Sequence, residues 1–167
     1  MSNRIAYQGE PGANSHIACR LYRSDMEPLA LKTFDQVFKV LDNQEAEFAM
    51  IPIENSIAGR VSDIHRLMPV SNLQIIGEYF LKIEHCLMAK KGTTLGDLET
   101  VQSHEMALSQ CRKTIEDLGL EPIVGADTAG SAREISETND RSLSAIASPL
   151  AAEIYDLNIL KKNMEDT

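Results

Sequence analysis

Positive charge is scarce in this sequence: 16 Lys and Arg stand against 25 Asp and Glu in 167 residues, a formal net charge of −9. Such a surface repels a phosphate backbone unless basic residues gather locally. The densest basic runs are only Lys90-Lys91 and Lys161-Lys162, which excludes nucleic-acid binding. Cysteine is scarce too. Cys19, Cys86 and Cys111 are odd in number, lack metal-ligand spacing and each sit in an apolar run. They read as buried thiols in a reducing compartment rather than a disulfide framework. No stretch approaches the ~18 apolar residues of a membrane helix. The start, Met1-Ser2-Asn3-Arg4-Ile5-Ala6-Tyr7, lacks the apolar core of a secretory signal. No membrane association and a cytoplasmic location are therefore expected. Gly and Pro are scattered, and neither low-complexity blocks nor a repeat with a period of about 20–50 residues is present.

Several signatures of chemistry are missing as well. No phosphate-binding Gly-x-x-x-x-Gly-Lys-Ser/Thr loop occurs, and Gly9-x-x-Gly12 lacks the spacing of the dinucleotide fingerprint. There is no Gly-x-Ser-x-Gly elbow, and no Cys pairs with a His as a nucleophilic dyad. His16, His65, His85 and His104 fall in separate elements without ligand spacing. Neither a metal nor a cofactor is expected.

What is present is a 43% hydrophobic chain in which strand and helix patterns alternate. That argues for an α/β fold with a parallel or mixed sheet covered on both faces. Strands are expected at 5–7, 29–32, 47–53, 99–102, 122–126 and 143–147. Helices follow from Asn14-Ser15, from the Thr33 and Gln36 capping box, and from Val61 to Pro69. Further helices follow from Ser103, from Asp127 and from Ser148-Pro149. A long β-rich stretch, Leu73 to Ala89, reads as one or two strands crossing to a second lobe, and Asn158-Ile159-Leu160 as a segment returning to the first. The expected organisation is two α/β lobes, 1–76 with 158–167 and 77–157, sharing a cleft where ligands bind in open α/β sheets.

Five strand-to-helix turns are polar or Gly-containing: Gly9 to Ser15, Glu54 to Gly59, Ser103-His104, Asp127 to Ser131, and Ser148. Helix N-terminal amides and hydroxyls hold carboxylates and phosphates well, although each turn alone also fits a plain helix cap. Together they point to a small anionic ligand. In Ile51-Pro52-Ile53-Glu54-Asn55-Ser56 a carboxylate, an amide and a hydroxyl follow an apolar strand directly. Ser103 and Gln110, seven apart with small Ala107 between, are expected on one face of a helix. The residues alone leave an enzyme and a non-catalytic module that binds a small carboxylate equally open.

Tyr7-Gln-Gly9…Gly12-Ala-Asn-Ser15, Ile51-Pro-Ile-Glu-Asn-Ser56 with Gly59, Ser103-His104…Gln110-Cys111, Asp127-Thr128-Ala129-Gly130-Ser131-Ala132 and Ala145-Ile-Ala-Ser148…Ala152…Tyr155…Leu157 resemble prephenate dehydratase, in the family's order and over nearly the whole chain. The resemblance implies a two-lobed fold like type II periplasmic binding proteins, with the site between the lobes. It implies decarboxylation and dehydration of prephenate to phenylpyruvate, a lyase step of phenylalanine biosynthesis. Glu54, Asn55, Ser103 and Gln110 would act in catalysis. Ser15, Ser56, His104, Thr128, Ala129, Gly130 and Ser131 would line the substrate site. The family pattern continues into a strand carrying Thr-Arg-Phe and then an ACT domain that binds phenylalanine. This sequence ends Asn163-Met-Glu-Asp-Thr167, so a catalytic region without those segments, and without a chorismate mutase bundle before it, is expected. A dimer or tetramer is expected of the full-length protein.

Overall fold

The computed structural model describes residues 3–166; residues 1, 2 and 167, at the ends of the expected first lobe, lie outside the described residues. The chain divides into two compact units, Met1–Glu10 with Asn14–Leu81, and Pro11–Ala13 with Lys82–Thr167.

The first unit is built on a parallel sheet of order β2-β1-β3, from β1 (Arg4–Gln8), β2 (Glu27–Leu31) and β3 (Phe48–Ala49). Ile5, Ala6 and Tyr7 are all buried, the continuous apolar run of a strand covered on both faces. Helix α1 (Asn14–Tyr22) follows β1, and α2 (Phe34–Asp42) follows β2. The expected capping box holds: Thr33 Oγ1 accepts from the Gln36 amide at 3.2 Å, and Gln36 Oε1 accepts from the Thr33 amide at 3.3 Å. Val37 of α2 packs with Ala6 and Ala46, while Phe38 packs with Ile64 and Leu67 of α3 (Ser62–Leu67). The strand expected at 47–53 is cut to two residues, because Pro52 has no N–H to give a ladder. Glu54 to Gly59 then forms a hairpin, β4 (Glu54–Asn55) against β5 (Gly59–Arg60), instead of leading straight into a helix.

Of the strands expected over Leu73 to Ala89, the part from Cys86 on is formed, whereas residues 72–85 take no regular structure. Their alternating pattern finds no partner strand among the described residues, and a strand without a ladder is not a stable element. Ile75, Ile76 and Phe80 stand exposed there.

The second unit carries a mixed five-stranded sheet of order β10-β6-β9-β7-β8, from β6 (Cys86–Lys90), β7 (Thr100–Ser103), β8 (Glu121–Val124), β9 (Leu143–Ala147) and β10 (Leu157–Lys161). Strands β7, β8 and β9 run parallel, and β6 is antiparallel to both β9 and β10. Side chains alternate between its faces as the period of two requires. Leu87, Ala89, Val101 and Ile146 pack under α4 (Glu105–Gln110) and α5 (Arg112–Asp117). Cys86, Met88, Ala145 and Ala147 pack under α6 (Thr128–Glu137) and α7 (Pro149–Ile154). The two connections leaving β7 and β8 thus cover opposite faces, and the strand order reverses at β7. Ligands of open α/β sheets bind at such a reversal, beyond the carboxyl ends of the strands.

Two expectations are corrected here. Residues 158–166 do not return to the first lobe: Leu157, Asn158 and Ile159 pair with Lys90, Ala89 and Met88, covering the free edge of β6. Met164 then inserts, fully buried, into the core beside Leu108 and Cys111. Nor is Ser103 a helix cap. It ends β7, and His104 is the N-cap of α4, its Nδ1 accepting from the Met106 amide at 3.2 Å. Among the described residues no helix is long and apolar enough to cross a membrane.

Candidate functional site

In the first unit, β1 and β3 are parallel, so their carboxyl ends share one edge of the sheet. Ser15 follows β1 on the first turn of α1, and Glu54, Asn55 and Ser56 follow β3 on the hairpin. Asn55 Oδ1 accepts from the amides of Ile57 and Ala58, both at 2.9 Å, closing the turn on itself. Its carboxamide oxygen is thereby engaged and its NH2 is left as a donor. Glu54 and Ser56 are exposed, Ser15 and Asn55 half-buried.

In the second unit, the carboxyl ends of β7, β8 and β9 likewise share one edge, and α4, α6 and α7 start there. The Asp127 carboxylate caps α6, with Oδ1 accepting from the Gly130 amide at 2.6 Å. Gly130 is therefore spent within the fold, while the amides of Thr128 and Ala129 must be satisfied from outside the helix. Ser131 is buried and its hydroxyl donates to the Asp127 carbonyl at 2.8 Å. It occupies space that a Cβ on Gly125 would overlap. Ser103 is fully buried, its Oγ donating to the Ile146 carbonyl at 2.6 Å, a tie between β7 and β9. The expected shared helix face of Ser103 and Gln110 does not exist, because only Gln110 is helical.

Gln110 nevertheless comes to the same edge. Strand β6 is antiparallel, so Cys86 lies opposite Ala147 at the end of β9. His85, just before it and buried, places Nε2 2.9 Å from Gln110 Oε1. Ser148 N-caps α7, accepting from the Ala151 amide at 3.1 Å and donating to the Gly12 carbonyl at 2.6 Å. Tyr155 donates to the Pro11 carbonyl at 2.7 Å. Gly12 has φ +95, and a Cβ there would lie 2.8 Å from Ala151 Cα. These contacts make Pro11–Ala13 part of the second unit.

The second unit thus gathers Ser103, His104, Thr128, Ala129, Gly130, Ser131 and Gln110 at one sheet end, and the first gathers Ser15, Glu54, Asn55 and Ser56 at another. His85 was missed in the sequence, where a lone histidine in a β-rich run carries no signal of its partner. Ser148 is legible in the sequence as a cap, as one of the five polar turns and as part of the family pattern, but not as a site residue. None of the cysteines is an exposed nucleophile: burial pushes the Cys19 and Cys111 thiols up to about 12 and raises that of Cys86. Burial, and then the nearby Arg20 charge, lower the pKa of His16, which stacks on Tyr7 at 5.2 Å. Among the described residues no group of His, Cys, Asp and Glu could hold a metal ion. A cavity of about 370 Å3 lined by Lys90, Lys91, Asn139, Arg141 and Asp156 lies at the opposite end of this sheet, where β6 finishes.

The model of the prephenate dehydratase family matches residues 5–167. The chain is 46% identical over 162 residues to a bifunctional N-acyl-homoserine lactone acylase/prephenate dehydratase of Komagataeibacter europaeus, covering 97% of this chain and 58% of the relative. It is 39% identical over 163 residues to arogenate dehydratase/prephenate dehydratase 2 of Arabidopsis thaliana, covering 98% and 43%. Among solved structures, the prephenate dehydratase of Arthrobacter aurescens in complex with L-Phe superposes with a TM-score of 0.90 at 26% identity, over 98% of this chain and 56% of that one. The chain spans about half the length of the curated relatives it matches. Its α/β fold with mixed sheets is that of the prephenate dehydratase structures, the type II periplasmic-binding-protein kind.

Proposed function

The chain belongs to the prephenate dehydratase family, and from that premise we propose that it forms the catalytic domain of a cytoplasmic lyase converting prephenate to phenylpyruvate. The observation that carries this reading is the row of polar groups at one end of the second unit's sheet. It supplies donors to an anion without a titrating nucleophile. Prephenate loses its ring carboxylate as carbon dioxide while the ring hydroxyl departs, taking a proton from solvent to leave as water, and aromatisation drives the step. The protein's task is to hold the second carboxylate rigidly and to donate hydrogen bonds to the leaving oxygen. The amides of Thr128 and Ala129 at the start of α6 suit the carboxylate. Asn55 in the first unit and Gln110 in the second each offer an NH2 donor of the kind a leaving oxygen needs, since carboxamides donate without titrating near neutrality. Glu54 stands next to Asn55 as the acidic group among the first unit's candidate residues. Ser103 and Ser131, both buried and donating to carbonyls, set the backbone that presents the donors.

The whole protein is proposed to be a dimer or tetramer, with phenylalanine binding to an ACT domain rather than to these residues. Plant relatives are also named for the related arogenate, so both acids belong in the assay. Acylase activity is also named for the Komagataeibacter relative.

The test is formation of phenylpyruvate from prephenate, and of phenylalanine from arogenate, by the chain, and by the chain extended with the Thr-Arg-Phe segment of a relative, each against Asn55→Ala. Turnover by the extended form is expected, with a loss on the order of a hundredfold in the variant, the scale of removing one donor to a developing oxyanion. No turnover of either acid by either form would leave only the reading of a carboxylate-binding module.

A further inference from the structure

We propose that His85 is the positioning residue for Gln110, holding its carboxamide in one orientation with the NH2 group turned outward as a donor. The proposal rests on the dehydratase reading for what that donor meets, but not for the positioning itself. His85 Nε2 lies 2.9 Å from Gln110 Oε1. A carboxamide oxygen only accepts, so Nε2 of His85 carries the proton, in the neutral ring and the imidazolium alike. The opposite end of the same amide, with both its hydrogens, then faces away from the histidine. Without the bond a glutamine side chain samples several rotamers and both amide flips.

The backbone of both residues is fastened by the three residues 164–166. The Met164 amide donates to the His85 carbonyl at 3.0 Å, and Glu165 Oε2 accepts from the His85 amide at 3.2 Å. The Asp166 amide donates to the Gln110 carbonyl at 2.7 Å, and its carboxylate takes the amides of Lys113 and Thr114 at 2.8 and 3.0 Å. Met164, fully buried, anchors this strap in the core. The start of β6 and the end of α4 are thereby held at one separation, which is the separation the His85–Gln110 bond needs. Gln110 itself is half-buried, so its outward NH2 group stands at the sheet edge where α4, α6 and α7 begin.

The experiment uses the intact chain labelled with 15N, together with His85→Leu and His85→Gln. Leucine fills similar space without a donor, and glutamine returns an N–H near the position of Nε2. The side-chain NH2 pair of Gln110, assigned by its disappearance in Gln110→Glu, is expected to shift in His85→Leu and to return in His85→Gln. The wild-type ring is expected to show a protonated Nε2. Prephenate affinity, titrated on the same samples, is expected to fall about tenfold in His85→Leu, the scale of one lost hydrogen bond, and to recover in His85→Gln. An unmoved Gln110 pair in His85→Leu, or a ring protonated only at Nδ1, overturns the positioning role. A shifted and restored pair in a chain that does not bind prephenate supports the positioning role while the dehydratase reading fails.

Discussion

The first unit holds Glu54, Asn55 and Ser56 on a hairpin of two paired positions, with Glu54 and Ser56 exposed, whereas the second holds its own with hydrogen bonds that are buried or tied to a five-stranded sheet. The Asn55 side chain closes its own turn, at 2.9 Å to the amides of Ile57 and Ala58. Ser103, Ser131, Ser148 and Gln110 are each fixed by a partner in another element or by a helix cap. The first unit has a smaller core and leaves Ile75, Ile76 and Phe80 exposed; the second closes both faces of its sheet with helices. Precision of this kind comes from surrounding packing and hydrogen bonds more than from the residue itself. The second unit therefore holds its candidate residues more rigidly than the first holds its own.

Two glycines with positive φ break this comparison most directly. Gly12 at φ +95 is pressed against Ala151, with its missing Cβ 2.8 Å from Ala151 Cα; Gly59 at φ +82 has nothing within 4 Å. Gly59→Ala adds only backbone strain, about 1 kcal/mol. Gly12→Ala adds the same strain plus an overlap with backbone that has no room to yield, for a loss of about 3–5 kcal/mol. Urea denaturation of the two variants measures the difference. Equal losses would mean that the Pro11–Ala13 segment is not anchored as firmly as its hydrogen bonds to Ser148 and Tyr155 indicate.

A smaller effect separates the strap of the second unit from the unpaired stretch of the first. Met164→Ala empties a fully buried position and should cost about 3 kcal/mol. Phe80→Ser, at 86% exposure, should stay within about 0.5 kcal/mol of wild type. A large loss at Phe80 would show that its ring is covered in solution, and the contrast between the two units would then shrink.

These contrasts were partly legible in the sequence. The strand at 143–147, the Thr33 capping box, the Ser148-Pro149 helix start and the Asp127 turn all rest on local rules, spacing and cap chemistry, and the structure has them. What local rules do not hold is partnership. Residues 72–85 alternate like a strand but find no ladder, and the tail residues 158–166 choose β6 over the first lobe because that edge is open. Ser103 and Gln110 obeyed helical spacing, yet the helix starts one residue after His104. The His85–Gln110 bond joins residues 25 apart through the packing of β6 against α4, and nothing in either neighbourhood announces it.

The smallest effects sharpen the comparison through acid. Asp25 in the first unit is held below the usual aspartate value of 3.8 chiefly by its hydrogen bond to the Arg23 guanidinium. Asp166 in the second is held below it chiefly by the Lys113 amide, then by the amide and hydroxyl of Thr114. A lowered folded-state pKa means the folded chain binds fewer protons than the unfolded one. Each carboxylate therefore stabilises the fold fully above the unfolded value near 3.8, and loses that contribution as pH falls through its lowered folded value. Asp25→Asn and Asp166→Asn should both flatten the acid limb of thermal stability and converge with wild type at the lowest pH. Salt distinguishes them. The Arg23–Asp25 pair is exposed and is screened at about 1 M salt, where the Debye length is about 3 Å. The Asp166 cap is made of directed bonds to backbone amides at 2.8 and 3.0 Å, and its effect should persist. If both variants lose their effect in salt together, the Asp166 strap is no more than a surface ion pair, and the second unit is looser at Gln110 than its geometry indicates.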